Sequence, residues 1–233
     1  MTIADAAEIV AELERLLPDW IDLEPARWQR VEYALRRAEG AGPVFPTFES
    51  FIEWVDEDTS AEWVEGEVYF MSPASTEHQD IVGFLAAVLR FFVERKRLGR
   101  VLIAPYRIKL PGYAPEPDIM FLAAEHVGRL HQTYLDGPAD LIIEIVSPES
   151  VERDRIKKYN AYEAAGVGEF WLIDPAHQSA EFYQLKGSRY ELAGVTDGIY
   201  ESQQLPGFRL PVAWFWREPL PMLDEALQSL GLL

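Results

Sequence analysis

The stretch ADLIIEIVSPES, residues 139–150, carries a run of aliphatic side chains broken by a single carboxylate. Leu141, Ile142, Ile143, Ile145 and Val146 make the short, β-branched apolar run of a strand buried on both faces, and Glu144 stands in its middle. An ionised glutamate in such a place is expensive unless it meets a cation or hydrogen-bond donors. The plainer alternative is a strand end that faces solvent. What surrounds this strand in the chain decides between the two.

Downstream, residues from about Ser150 to Ala165 carry helical spacing and stop at Gly166, and EFWLID (169–174) is a second apolar strand. Residues 139–174 therefore form a β-α-β unit, which requires a parallel strand pair. Upstream lie two more strand-like runs, RVLIAPYRIKL (100–110) and PDIMFL (117–122). Before them STEHQDIVGFLAAVLRFFVERKR (75–97) reads as one long helix whose Ile81, Leu85, Val88 and Phe92 mark the buried stripe, with His78 one turn earlier. AEWVEGEVYFM (61–71) alternates like a hairpin turning at Glu65-Gly66, which puts Glu62 and Glu67 on one face and Trp63 and Val68 on the other. After residue 180 come further strands joined by glycine-rich turns, then a terminal helix near 222–230. The class is α/β with a mixed central sheet. Residues 1–46 form a helical N-terminal extension, with Ile9, Leu13, Leu16 and Leu17 at helical spacing, and residues 47–233 form the main domain.

Composition narrows the chemistry. The chain has 233 residues, 48% hydrophobic, and no cysteine. That removes disulfides, thiolate zinc sites and cysteine nucleophiles, so any metal must take oxygen or imidazole ligands. No apolar run approaches the roughly 18 residues of a membrane span, and the acidic N-terminus lacks a secretion signal's basic start, which points to the cytoplasm. A formal net charge of −18 is unlike the basic footprint of most nucleic-acid binders. Local basic strips at 90–100 and 153–158 are the places where phosphate could still be met.

Three charged features fall at the ends of neighbouring elements. Asp118 opens one strand, Glu144 sits inside the next, and Lys157 and Lys158 lie on the following helix. Two carboxylates brought together by adjacent strands repel each other unless a cation lies between them. Hard oxygen ligands suit Mg²⁺ (or Mn²⁺), which is content with one or two carboxylates and keeps several waters. A lysine nearby can orient the attacking water and steady charge on a phosphate. Helical phase selects Lys158, because Val151, Arg155, Lys158, Tyr162 and Ala165 share one stripe whereas Lys157 groups with Arg153, Asn160 and Ala164. Asp154, four residues earlier, is placed to brace the Lys158 ammonium.

VEGEVYFMSP, PEPDIMF, ADLIIEIVSPES, DRIKKYNAYEAAGVGEFWLIDP and LPGFRL, in that order over roughly residues 47–215, resemble the Uma-type endonuclease-like family of the PD-(D/E)XK nuclease superfamily. The resemblance implies a restriction-endonuclease-like fold, a mixed central sheet flanked by helices. It also implies a Mg²⁺-dependent endonuclease that hydrolyses phosphodiester bonds in DNA, with a homodimer as the expected assembly. The superfamily pattern has Glu-x-Lys on the second strand. Here Asp118 and Glu144 fit and position 146 is Val, so the lysine is displaced onto the helix, where Lys158 satisfies it. The expected catalytic set is Asp118, Glu144 and Lys158, with Asp118 and Glu144 as metal ligands and Glu62, Glu67 and His78 in support. Two rivals stand beside it: a catalytically inactive nuclease fold that serves as an interaction protein, which the acidic charge favours, and a metal-dependent hydrolase of a smaller phosphoester.

Overall fold

A computed structural model describes residues 44–56, 59–147 and 153–233, and the chain divides into two units, Met1–Phe70 and Met71–Leu233. The helical extension expected at residues 1–46 lies almost wholly outside the described residues.

In the first unit, helix α1 (Phe48–Trp54) starts at a reciprocal cap. The Thr47 hydroxyl accepts from Ser50 N at 3.2 Å, and the Ser50 hydroxyl accepts from Thr47 N at 3.3 Å. Strands β1 (Ala61–Val64) and β2 (Glu67–Phe70) pair with Trp63 opposite Val68. Their two-residue turn puts Glu65 at φ 47° and Gly66 at φ 104°, the left-handed geometry of a tight hairpin. Glu62 and Glu67 share a face, as the alternation requires; Glu62 is buried and Glu67 exposed.

The second unit begins with the long helix α2 (Thr76–Lys96), capped by the Ser75 hydroxyl accepting from His78 N. Strands β3 (Gly99–Ile103), β4 (Arg107–Lys109), β5 (Tyr113–Ala114), β6 (Ile119–Ala123), β7 (Tyr134–Asp136), β8 (Leu141–Ile145), β9 (Glu169–Asp174), β10 (Ser179–Lys186), β11 (Arg189–Leu192), β12 (Ile199–Glu201) and β13 (Arg209–Pro211) follow, with helix α3 (Tyr159–Ala165) between β8 and β9 and α4 (Leu223–Ser229) near the end. The central sheet has six strands in the order β11-β10-β9-β8-β6-β3, antiparallel except for the parallel β8–β9 pair that the β-α-β pattern demands.

Residues 100–110 are not one strand. The run breaks at Ala104-Pro105, where proline has no N–H to give a ladder, and β4 pairs instead with β7 in a separate two-stranded sheet. The helix expected from 150 is also irregular: Arg153–Lys158 winds as a π-helix before α3 continues it.

On one face of the sheet Leu141, Ile143, Ile145, Trp171 and Ile173 pack with Ile81, Leu85, Val88 and Phe92 of α2 in the main apolar core. Period-two alternation turns Glu144 to the other face, toward α3. All five residues of β8 are buried, so the glutamate is an interior group and not a strand end in solvent.

Candidate active site

Asp118 and Glu144 meet because β6 and β8 run antiparallel with Ile119 opposite Ile143, which sets the preceding and following residues side by side. Asp118 Oδ2 accepts the Ile145 N–H at 2.7 Å, so the carboxylate takes over the ladder bond at the end of β6. Glu144 extends beneath the π-wound segment. Its Oε2 lies 2.8 Å from Lys158 Nζ and its Oε1 accepts the Tyr162 hydroxyl at 2.7 Å. Lys158 is 2% exposed, and on its other side Asp154 Oδ1 lies 3.5 Å away. Lys157, by contrast, is exposed.

His78 reaches the same group of charges from the first turn of α2. Its Nε2 lies 3.1 Å from Asp118 Oδ2, while its buried Nδ1 has no hydrogen-bond partner. Burial opposes protonation of this imidazole. The bond to Asp118 and the charges of Asp118 and Asp154 outweigh it, and the pKa lies above the ordinary histidine value. Glu144 is pushed well above the ordinary carboxylate range, first by burial and further by the Asp118 and Asp154 charges, with Lys158 pulling the other way.

Three carboxylates thus share one ammonium and one imidazole in a largely buried place. Among the described residues no group of three or more His, Asp or Glu side chains has the spacing of a ready-made metal cage. The donor set nevertheless fits a hard divalent cation, which needs only one or two carboxylates and brings its own waters. The crowding of Asp118, Glu144 and Asp154, which pushes the Glu144 pKa up, is the electrostatic setting that a bound cation would relieve.

A family model described as "Putative restriction endonuclease", Uma2, matches residues 48–213. The chain belongs to the Uma2 family. A solved structure described as "a putative nuclease belonging to DUF820 from Anabaena variabilis ATCC 29413" is similar in fold, with a TM-score of 0.62 at 19% sequence identity over 73% of this chain and 97% of that one. No curated protein matches. Uma2 membership supports a nuclease, and the neighbour shows the fold.

The structure brings Asp118, Glu144, Lys158 and His78 together in the second unit. Glu62 and Glu67 lie in the first unit, where Glu67 accepts the Tyr69 hydroxyl at 2.7 Å; their supporting role is a proposal. Two participants were underrated by the sequence. The sequence shows Tyr162 only as a member of the Lys158 stripe and Asp154 only as an i, i+4 brace of the Lys158 ammonium, not as a further carboxylate acting on Glu144. The available signal was their common spacing of four from Lys158.

Proposed function

We propose that the protein is a divalent-metal-dependent endonuclease that hydrolyses phosphodiester bonds in DNA, with Asp118 and Glu144 as the metal ligands and Lys158 as the catalytic cation. The observation that carries this reading is the Asp118–Glu144–Lys158 constellation, assembled from three elements around a carboxylate buried in the middle of a sheet. When bound, Mg²⁺ or Mn²⁺ would polarise a phosphate oxygen and make a bound water more acidic. The protein's own groups supply the rest. Asp118 is fixed by the Ile145 N–H and by His78, so its carboxylate cannot swing away as charge changes nearby. Lys158, held between Glu144 and Asp154, presents a preorganised ammonium to the attacking water and to the negative charge that develops on phosphorus. The sheet and the π-wound segment keep these groups in a setting poor in water, where each charge acts more strongly.

The test is the nicking of supercoiled plasmid in Mg²⁺ or Mn²⁺. The wild type is expected to give open circles, and Asp118→Asn and Glu144→Gln none. The amide replacements are preferred to alanine at Glu144, because truncation would leave the buried Lys158 without its nearest carboxylate. An intact protein that takes up Mn²⁺ and cuts neither DNA nor RNA moves the reading to the non-catalytic interaction protein, which the charge of −18 already favours.

A further inference from the structure

Glu144 is gripped at both oxygens, and only one grip is explained by the chemistry proposed above. Lys158 on Oε2 has a catalytic use; the Tyr162 hydroxyl on Oε1, 2.7 Å away, has none there. Tyr162 is fully buried, and its ring is wedged edge-on against Phe170 of β9 with centroids 5.4 Å apart. A side chain packed in this way has little rotational freedom, so its hydroxyl offers a fixed donor direction. A carboxylate has about four lone-pair sites, and one donor on each oxygen leaves a site on each oxygen for a cation.

The backbone winding adds Asp154 to the same group. Asp154, Lys158 and Tyr162 are spaced by four and four, and in a uniform α-helix eight residues advance two turns plus roughly 80°. Such a drift would carry Asp154 round the helix, away from the face that Lys158 and Tyr162 share. The π-wound segment Arg153–Lys158 turns more slowly per residue and takes back part of the drift, so that Asp154 reaches Lys158, while Lys158 and Tyr162, four residues apart across the start of α3, both bear on Glu144. Single π-turns of this kind recur at functional sites.

We propose that Tyr162 is a positioning residue of the metal site: its hydroxyl fixes the orientation of the Glu144 carboxylate toward Asp118, and so sets the affinity for the divalent cation. The proposal rests on the reading of Asp118 and Glu144 as metal ligands. Partners that orient a ligating side chain typically change metal affinity or activity by about 10–100-fold when removed.

The experiment is calorimetric titration of the full chain with MnCl₂ for the wild type, Tyr162→Phe and Tyr190→Phe. The phenylalanine keeps the ring and removes only the hydroxyl. Tyr190 is the control, because its buried hydroxyl donates to the Val167 carbonyl at 2.9 Å and not to a carboxylate of the site. Tyr162→Phe is expected to bind Mn²⁺ about 10–100-fold more weakly, with cleavage recovering as Mn²⁺ is raised. Tyr190→Phe is expected to keep wild-type affinity while losing thermal stability as any buried hydrogen-bond deletion does. If Tyr162→Phe is too unstable for calorimetry, the Mn²⁺-dependent rise of its melting temperature gives the same reading, displaced to higher Mn²⁺. Equal Mn²⁺ affinity in the wild type and Tyr162→Phe overturns the positioning role and leaves the metal site standing. A wild type that takes up no Mn²⁺ overturns the metal site and this proposal together.

Discussion

Lys158 is the residue on which enzyme and relic diverge. Its ammonium meets Glu144 and Asp154 at 2.8 and 3.5 Å, both nearly fully buried, so it is a fixed charge and not a side chain reaching for solvent. A charge that helps only the transition state should matter for turnover and not for cation affinity, which it opposes if anything. Lys158→Gln is therefore expected to retain Mn²⁺ binding in calorimetry and to lose about 10²–10³ in cleavage rate, by analogy with the loss of one oxyanion donor. Lys157→Ala, exposed one residue earlier, should cut DNA at the wild-type rate. Normal cutting by both variants would remove the displaced lysine from the mechanism. At this scale much was legible: a carboxylate inside an apolar strand has few explanations, and helical phase placed Lys158 inward. Tyr162 was not legible as a partner, since an inward tyrosine on a helix usually serves packing alone and nothing in its neighbours tells where its hydroxyl points.

Among the elements, the β-α-β unit could be read because its two strands and its Gly166 stop are local signals, and Gly166 is indeed in the left-handed conformation at the end of α3. The division of residues 100–110 between two sheets could not, because strand partners are chosen by distant residues such as Tyr134–Asp136. The π-winding was equally hidden, being imposed by what Arg153–Lys158 must reach. One anchor of that segment is Arg155, whose guanidinium binds Asp174 at the end of β9 at 3.0 Å and also pairs with Glu181. Burial would raise the Asp174 pKa, but Arg155 and the N–H and imidazole of His177 more than offset it, and the value lies below the ordinary aspartate range. A carboxylate whose folded pKa is depressed adds stability that is complete above its unfolded pKa of about 3.9 and disappears as pH falls through the folded value. Asp174→Asn should thus lower unfolding stability at pH 7 by about 1.5–3 kcal/mol, the usual size for hydrogen bonds to a charged group. In denaturant titrations the gap from wild type should begin to narrow below about pH 4 and go on narrowing as pH falls through the folded value; a gap of constant size down to about pH 2 would mean that Asp174 acts through packing and not through its charge.

The whole molecule presents a problem that its site does not: under the proposed reading an acidic protein approaches a polyanion. Among the described residues, most of the first basic strip lies far from the site. Arg90, Arg95, Lys96, Arg97 and Arg100 are exposed around the far end of α2, and Lys96 stands about 27 Å along the axis from His78 at 1.5 Å per residue. In the second strip Arg155 is paired with carboxylates and Lys158 is buried. Their positions could not be read from the sequence, because a charge run reveals composition and not which end of a helix faces the chemistry. This arrangement determines how salt should act. A protein that neutralises many phosphates loses about 10³–10⁵ in affinity between 50 and 200 mM salt, since the slope of log K against log salt is about −0.9 per phosphate contact. Among the described residues few cations near the site can make such contacts, whereas the net charge of −18 repels DNA over distances that salt screens to about 8 Å at physiological ionic strength. At fixed Mg²⁺ and subsaturating plasmid, nicking should therefore change by less than about tenfold between 50 and 200 mM NaCl and should increase, not fall, as salt is first raised from 50 mM. A loss of 10³ or more over the same interval would mean that a cationic face governs the encounter, with the chain's net charge of little consequence. Flat salt dependence together with loss of cutting in Lys158→Gln would instead locate the affinity in the metal and the buried site.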